Sequence, residues 1–184
     1  QNAKAANMPK ENVERAIKKA SEKSTDNFKE ILLEGYAQHG IAILVEAATD
    51  INNRTVANIR SYFNKCEGNL ATSGSVDFLF NHLCCFQIKN EDINVEELEL
   101  DLIDFGIVDF VVQDDEINIT ANFEDFGSLQ KEIERRALDI VSSEFDREAI
   151  NLKTIKEGQK IIVEKLITLL DEDDDVQNVY HDMG

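Results

Sequence analysis

The chain has no tryptophan, one proline and three cysteines, and it carries 19 Lys and Arg against 37 Asp and Glu. No apolar run approaches the roughly 18 residues of a membrane-crossing helix, and no signal-peptide pattern opens the sequence. Three cysteines give no disulfide framework, and none of the paired spacings of a zinc site occurs. Cys84 and Cys85 are neighbours in the apolar run Leu83–Ile88. Consecutive side chains of a strand point to opposite faces, so the two thiols cannot easily ligate one ion beside His82. The expectation is reduced thiols, a cytoplasmic protein without membrane contact, and neither metal nor other cofactor.

Cationic residues are scarce and unevenly placed. Residues 1–70 hold 10 Lys and Arg against 9 Asp and Glu, whereas residues 71–184 hold 9 against 28, within a net charge of −18. Phosphate binding draws on cationic groups that displace counterions, so the acidic stretch repels nucleic acid. Any such contact falls to the N-terminal part. The acidic remainder reads as a solvated body or as a surface for a basic protein partner.

The length allows one good core or two smaller ones. Met8–Ala20 opens as a helix, with Pro9 early and Glu11 in the first turn. Its apolar stripe of Val13, Ile17 and Ala20 is too narrow to fold alone. The first residue is not Met, which suggests a fragment. Phe28–Tyr36 and Ile41–Ala48 read as strands of a hairpin, Asn53–Cys66 as a helix with Val56, Ile59, Phe63 and Cys66 on one face, and Ser75–Phe80 as the next strand. Cys84–Ile88, Val95–Phe105, Ile107–Gln113, Glu116–Ala121, Phe126–Ala137 and Ile140–Phe145 give the order β-α-β-β-α-β of ferredoxin-like domains. Ile155–Leu170 is a helix ended by the acidic run Asp171–Asp175, and Val176–Tyr180 a short strand. This tail supplies the helix and strand that the first unit lacks.

The expected class is therefore α+β in three parts. Residues 1–26 form a helix that must pack on something else. Residues 27–82 with 154–184 form a discontinuous α/β domain, and 83–153 an inserted, acidic, ferredoxin-like domain.

Two segments offer polar contact. Asn52 and Asn53 can cap the helix that follows while Arg54 stays solvent-facing, which makes an anion site at a helix N-terminus. The plainer alternative is a capped helix with a solvated arginine. Thr72-Ser73-Gly74-Ser75 can cradle a phosphate with hydroxyls and backbone N–H groups, or simply turn into a strand. No nucleophile–base arrangement stands out among the many carboxylates, so no catalytic residue is assigned.

Ala6-Asn7-Met8-Pro9-Lys10, Glu14 to Lys19, Glu34-Gly35-Tyr36, Asn53-Arg54-Thr55-Val56, Gly68-Asn69-Leu70, Thr72 to Val76 and Asp175 to His181 occur in that order along the chain. With these the sequence resembles the YebC/PmpR family, which includes bacterial transcriptional regulators and a mitochondrial translational activator. The resemblance implies three domains, the third inserted into the second, and a basic N-terminal helical segment ahead of residue 1. It thereby implies that residues 1–26 are the last helix of an N-terminal helical domain. The chain departs from the family pattern at Ala37-Gln38-His39, at Ala71 and at Asp182. The implied function is a non-enzymatic regulator of gene expression that binds DNA. The alternative is a translation factor that acts on the ribosome or RNA. The residues expected to carry the contact are Lys10, Lys18, Lys19, Asn53, Arg54, Arg60, Asn69, Thr72 and Ser73. The helix between the last two groups spans roughly 20 Å, so its ends could flank a groove but not share a small pocket. The oligomeric state is not readable from the sequence.

Overall fold

The computed structural model describes residues 28–184. The helix expected over residues 8–20 lies outside the described residues. In chain order these form β1 (Lys29–Tyr36), β2 (Ala42–Thr49), α1 (Asn52–Lys65), β3 (Asn69–Ala71), β4 (Phe80–Lys89) and α2 (Val95–Leu102), followed by β5 (Ile107–Gln113), β6 (Glu116–Asn122), α3 (Phe126–Arg135), β7 (Ile140–Ala149), α4 (Glu157–Glu172) and β8 (Val176–His181). The class is α+β. The described residues divide into two compact units, 28–80 with 149–184 and 81–148.

In the first unit the strand order is β3-β1-β2-β8. β1 and β2 are an antiparallel hairpin with Lys29 opposite Thr49 and Tyr36 opposite Ala42. β8 returns antiparallel along β2. Seven of the eight β2 residues are buried, with only Glu46 less so. The reason is a cover on each face. Ile43, Val45 and Ala47 pack with Ile59 and Phe63 of α1 and with Val163, Leu166 and Leu170 of α4. Ala42 and Leu44 pack on the other side with Val76 and Phe80. A strand with two apolar neighbours needs no polar alternation, and each fully buried Leu, Ile or Val contributes about 1.5–3 kcal/mol.

Two glycines set how closely these elements approach. A Cβ on Gly35 would stand 2.7 Å from both the Asn69 carbonyl oxygen and the Phe63 ring. One on Gly68 would stand 2.5 Å from the Tyr36 carbonyl oxygen.

The segment Ser75–Phe80 corrects the sequence reading. It is not a strand: Asp77–Leu79 is a short 3-10 turn, and β4 begins only at Phe80. The strand after α1 is instead Asn69–Ala71, paired antiparallel with β1. The alternating apolar pattern is strand-like, but the backbone is claimed from elsewhere. Buried Glu34 accepts the N–H of Val76 at 2.9 Å and that of Asp77 at 3.3 Å. Those donors therefore have no ladder to join.

In the second unit the order is β5-β6-β4-β7. Cys84, Phe86 and Ile88 of β4 alternate inward with Ile117, Ile119 and Ala121 of β6 against Leu98, Leu102, Leu129 and Ile133 of α2 and α3. Cys85 faces the other side of the sheet, beside the Thr120 hydroxyl. Asn94 caps α2 by accepting the Glu97 N–H. Gly106, at φ 81°, closes the turn after α2 in a conformation that glycine alone adopts freely.

Candidate nucleic-acid interface

The expected anion site at the start of α1 is built differently. Ile51, not an asparagine, occupies the cap position, and no side chain caps the helix. Thr49 instead accepts the Ile51 N–H at 3.0 Å. Asn52 and Asn53 are exposed. Arg54 is not simply solvated: its guanidinium bridges Asp50 at 3.2 Å and Asp175 at 3.4 Å. A cation between two carboxylates offers a phosphate little net charge.

The inner edge of α1 is joined to the acidic run that follows α4. The buried Thr55 hydroxyl donates to Asp175 at 2.7 Å, and the Tyr62 hydroxyl donates to Asp173 at the same distance. That hydrogen bond, followed by burial and the charges of Asp173, Asp175 and Asp174, pushes the Tyr62 phenol up to about 12. The run is thus partly an acceptor set for α1 rather than only a solvated helix end. Sequence reasoning missed Thr55, Tyr62 and both aspartates in this role. The only available signal was that Thr55 lies one and two helical turns before Ile59 and Phe63, on the buried stripe.

The outer face of α1 has a different composition. Asn53, Ala57, Arg60 and Asn64 form one exposed row, with Arg54, Asn58, Ser61 and Lys65 beside it. No carboxylate occurs in the 14 residues of this helix. Just past its end, burial pushes the Cys66 thiol up, and the nearby ammonium groups of Lys165 and Lys65 oppose that shift.

The second polar segment is organised by its own backbone. Thr72 O accepts the Ser75 N–H at 3.2 Å and the Ser75 hydroxyl at 2.6 Å, and the Tyr36 hydroxyl donates to Ser75 O. These donors complete a turn whose apex is Gly74 at φ 89°. Thr72 and Ser73 are exposed.

The nine expected contact residues therefore fall into groups. Asn53, Arg54 and Arg60 lie on α1, where Arg54 ties to the residue preceding β8. Asn69, Thr72 and Ser73 lie on and after β3, the opposite edge strand of the sheet. α1 packs on β1 and β3, with Phe63 near its end close to Gly35 and Asn69, and its start at Arg54 reaches the residue before β8. Lys10, Lys18 and Lys19 lie outside the described residues. Among the described residues no group of three or more His, Cys, Asp or Glu is placed to hold a metal ion, and no helix is long and apolar enough to cross a membrane.

Comparison with known proteins agrees on one family. A family model described as the TACO1/YebC second and third domain matches residues 28–183. A probable transcriptional regulatory protein of Flavobacterium johnsoniae is 62% identical over 183 residues, covering 100% of this chain and 77% of that protein. One from Parabacteroides distasonis, of the same description, is 52% identical over 184 residues, covering 100% of this chain and 76% of the relative. The crystal structure of the conserved hypothetical protein Aq1575 from Aquifex aeolicus is 35% identical and superposes with a TM-score of 0.65, covering 99% of this chain and 76% of that one. The chain belongs to the TACO1/YebC family.

Proposed function

We propose that this protein is a non-enzymatic, cytoplasmic regulator of gene expression that touches nucleic acid through the outer face of α1. The observation that carries the reading is the absence of any carboxylate on α1 in so acidic a chain. Asn58, Arg60, Ser61, Asn64 and Lys65 can donate to phosphate and ribose oxygens there, and Lys165 adds charge. Lys10, Lys18 and Lys19 extend the cationic set. Asn69, Thr72 and Ser73 contribute hydroxyl and amide groups from the β3 edge. The names of the relatives support a role in transcriptional regulation, for which DNA would be the nucleic acid touched.

A second reading, a translation factor on the ribosome or RNA, is favoured by the charge distribution. Residues 81–148 hold five Lys and Arg against nineteen Asp and Glu, a net of −14, which repels the phosphates of DNA and RNA alike and suits a target that also offers basic protein, as a ribosome does. In domain terms, the order of strands and helices supports 83–153 as a ferredoxin-like insertion into a domain of 27–82 with 154–184. Residues 1–26 would then belong to a separate helical domain.

Crosslinking in cells with the full-length protein, followed by identification of the bound nucleic acid, tests both readings. Arg60→Ala with Lys65→Ala should lose crosslinks without lowering the unfolding midpoint. Unchanged crosslinking would overturn the α1 contact. Recovery of ribosomal RNA without promoter DNA would select the second reading.

A further inference from the structure

Both helices of residues 81–148 pack on one face of the β5-β6-β4-β7 sheet, and neither lies on the other. On that second face the register sets Val111 beside Asn118 and Asn118 beside Gln87, with Gln113, Glu116 and Lys89 in the next row. The Ser142 hydroxyl donates to Gln87 at 3.1 Å, which places Ser142 on the same side. Alternation along β7 then puts Glu144, Asp146 and Glu148 there too. A cavity of about 300 Å³ opens in this face, lined by Cys85, Gln87, Gln113, Asn118, Ser142 and Glu144. Its walls are polar and its size is at the bottom of the small-molecule range, so it suits the head of one side chain.

The hydrogen bonds around the cavity are one-sided. The Gln87 amide donates to Glu116, the Asn118 amide donates to Gln113 at 3.3 Å, and the Ser142 hydroxyl is taken up by Gln87. Among the described residues no donor reaches the Asn118 side-chain oxygen or the Glu144 carboxylate. Burial, with the charge of Asp146 behind it, pushes the Glu144 carboxyl up. What the cavity lacks is therefore a donor, and a charged one relieves the half-buried carboxylate best.

Charge selects the occupant. Alternation gives this face Asp109, Glu116, Glu144, Asp146 and Glu148 against Lys89 alone. Nucleic-acid phosphates are opposed there, and a second copy of the chain would bring the same carboxylates against them. A basic protein segment is attracted. Guanidinium matches the cavity better than ammonium, because its planar fork reaches a carboxylate and a neighbouring amide oxygen together and it is weakly hydrated.

We propose that the cavity between Glu144 and Asn118, on the uncovered face of the β5-β6-β4-β7 sheet, seats an arginine side chain of a basic protein segment. Glu144 accepts from its guanidinium, the Asn118 oxygen takes a further N–H, and Asp146 and Glu148, at intervals of about 6–7 Å along β7, meet neighbouring cations of the segment. This gives the basic partner of the translation reading its place on the molecule, and rests on that reading.

The test uses the full-length protein, a labelled Arg/Gly/Ser peptide, its Lys-for-Arg counterpart and a single-stranded oligouridylate, read by fluorescence anisotropy. The Arg peptide should bind more tightly than the Lys peptide. Glu144→Gln should weaken it roughly tenfold and Asn118→Leu roughly fivefold, each with an unchanged unfolding midpoint. Glu99→Gln, the same loss of charge at an exposed position of α2 across the sheet, should weaken it less than about twofold. If Asn118→Leu lowers the midpoint, the parent decides: its Asn118 and Gln113 side-chain amide NMR signals must shift as the peptide is added. Equal losses for Glu144→Gln and Glu99→Gln would overturn the proposal, since acidity alone would then account for binding. So would unmoved amide signals, absence of peptide binding, preference for the oligouridylate, or self-association of the parent that Glu144→Gln abolishes. Ribosomal RNA crosslinks in cells without peptide binding would overturn the arginine seat and leave the translation reading standing.

Discussion

The two units use the same residue type in opposite ways. In residues 28–80 with 149–184, fourteen carboxylates stand against eight cations, and Glu34, Asp175 and Asp182 are buried. Each of the three bonds to chain groups: Glu34 to the N–H of Val76 and Asp77, Asp175 to the Thr55 hydroxyl, and Asp182 to the Ala42 N–H at 2.9 Å. In residues 81–148 nineteen carboxylates stand against five cations, and only Glu132 is buried, clasped by Arg135 and Arg136. There the core is closed by apolar alternation, and the acids populate the surface. Acid content therefore says little about a unit until each carboxylate is matched with its partner. One unit is pinned by its carboxylates, and the other carries them as a field.

The largest effect that would break this comparison is expected at Glu34. Glu34→Ala removes the acceptor of the buried Val76 N–H and of the part-buried Asp77 N–H. An unsatisfied buried donor costs roughly 1–3 kcal/mol, so a loss of about 2–4 kcal/mol in urea unfolding is expected. A loss under about 0.5 kcal/mol, typical of a surface substitution, would show that the loop holds itself. Asp175→Ala should cost less, about 2 kcal/mol. It removes the charged acceptor of Thr55, while Arg54 keeps Asp50 and the exposed ion pair adds under about 1 kcal/mol. Asp175→Asn, which retains an acceptor oxygen, should recover part of the loss.

These same contacts mark how far the sequence was readable. β1, β2, α1, β5 and β6 fall within a residue or two of the periodicities that announce them, because period and turn chemistry are local. The reading failed where a partner is distant. Val76 N–H is claimed by a residue 42 positions away, Thr55 by one 120 away, and the Ala42 N–H by one 140 away. Nothing local distinguishes Asp175 from the exposed Asp171 and Asp174 before it, or Ser75–Phe80 from a strand. The motif residues Glu34, Gly35, Tyr36, Gly68 and Ser75 turn out to close the fold, through carboxylate–amide bonds, tight backbone approach and a pinned turn. Of the expected contact residues, Arg54 is tied to two carboxylates, whereas Asn53, Arg60, Asn69, Thr72 and Ser73 are exposed.

A smaller effect sharpens the comparison in the acidic unit. Hydrogen bonds from Arg135 and then Arg136 hold the Glu132 carboxyl at about 2, well below the ordinary carboxylate range. Because the folded value lies below the unfolded one, the stabilisation is present above pH 4.5 and is lost as pH falls through about 2. An NMR titration of the Glu132 carboxyl carbon should show that low midpoint, and Arg135→Ala with Arg136→Ala should return it toward 4.5. A midpoint already near 4.5 in the parent would mean that this carboxylate behaves like its exposed neighbours.

The smallest expected effect lies at Tyr62, where the acidic run meets α1. The Asp173 hydrogen bond is the main cause of a phenol pushed up to about 12, with burial and the charges of Asp173, Asp175 and Asp174 behind it. The folded value exceeds the unfolded one, so this contribution is complete below about pH 10 and disappears as pH rises through about 12. The Tyr62 ring is only partly buried, so water screens the pair and its share of stability is small, and the titration itself is the sharper measurement. The absorbance at the tyrosinate band, taken as the difference between parent and Tyr62→Phe in rapid pH jumps, should give a midpoint near 12. Asp173→Asn removes the charge while keeping an acceptor oxygen, so the midpoint should fall toward 10. If the parent midpoint already stands near 10, Asp173 is a solvated carboxylate like those of residues 81–148. The two units would then differ in the burial of Glu34, Asp175 and Asp182 alone, and not in how their exposed acids are used.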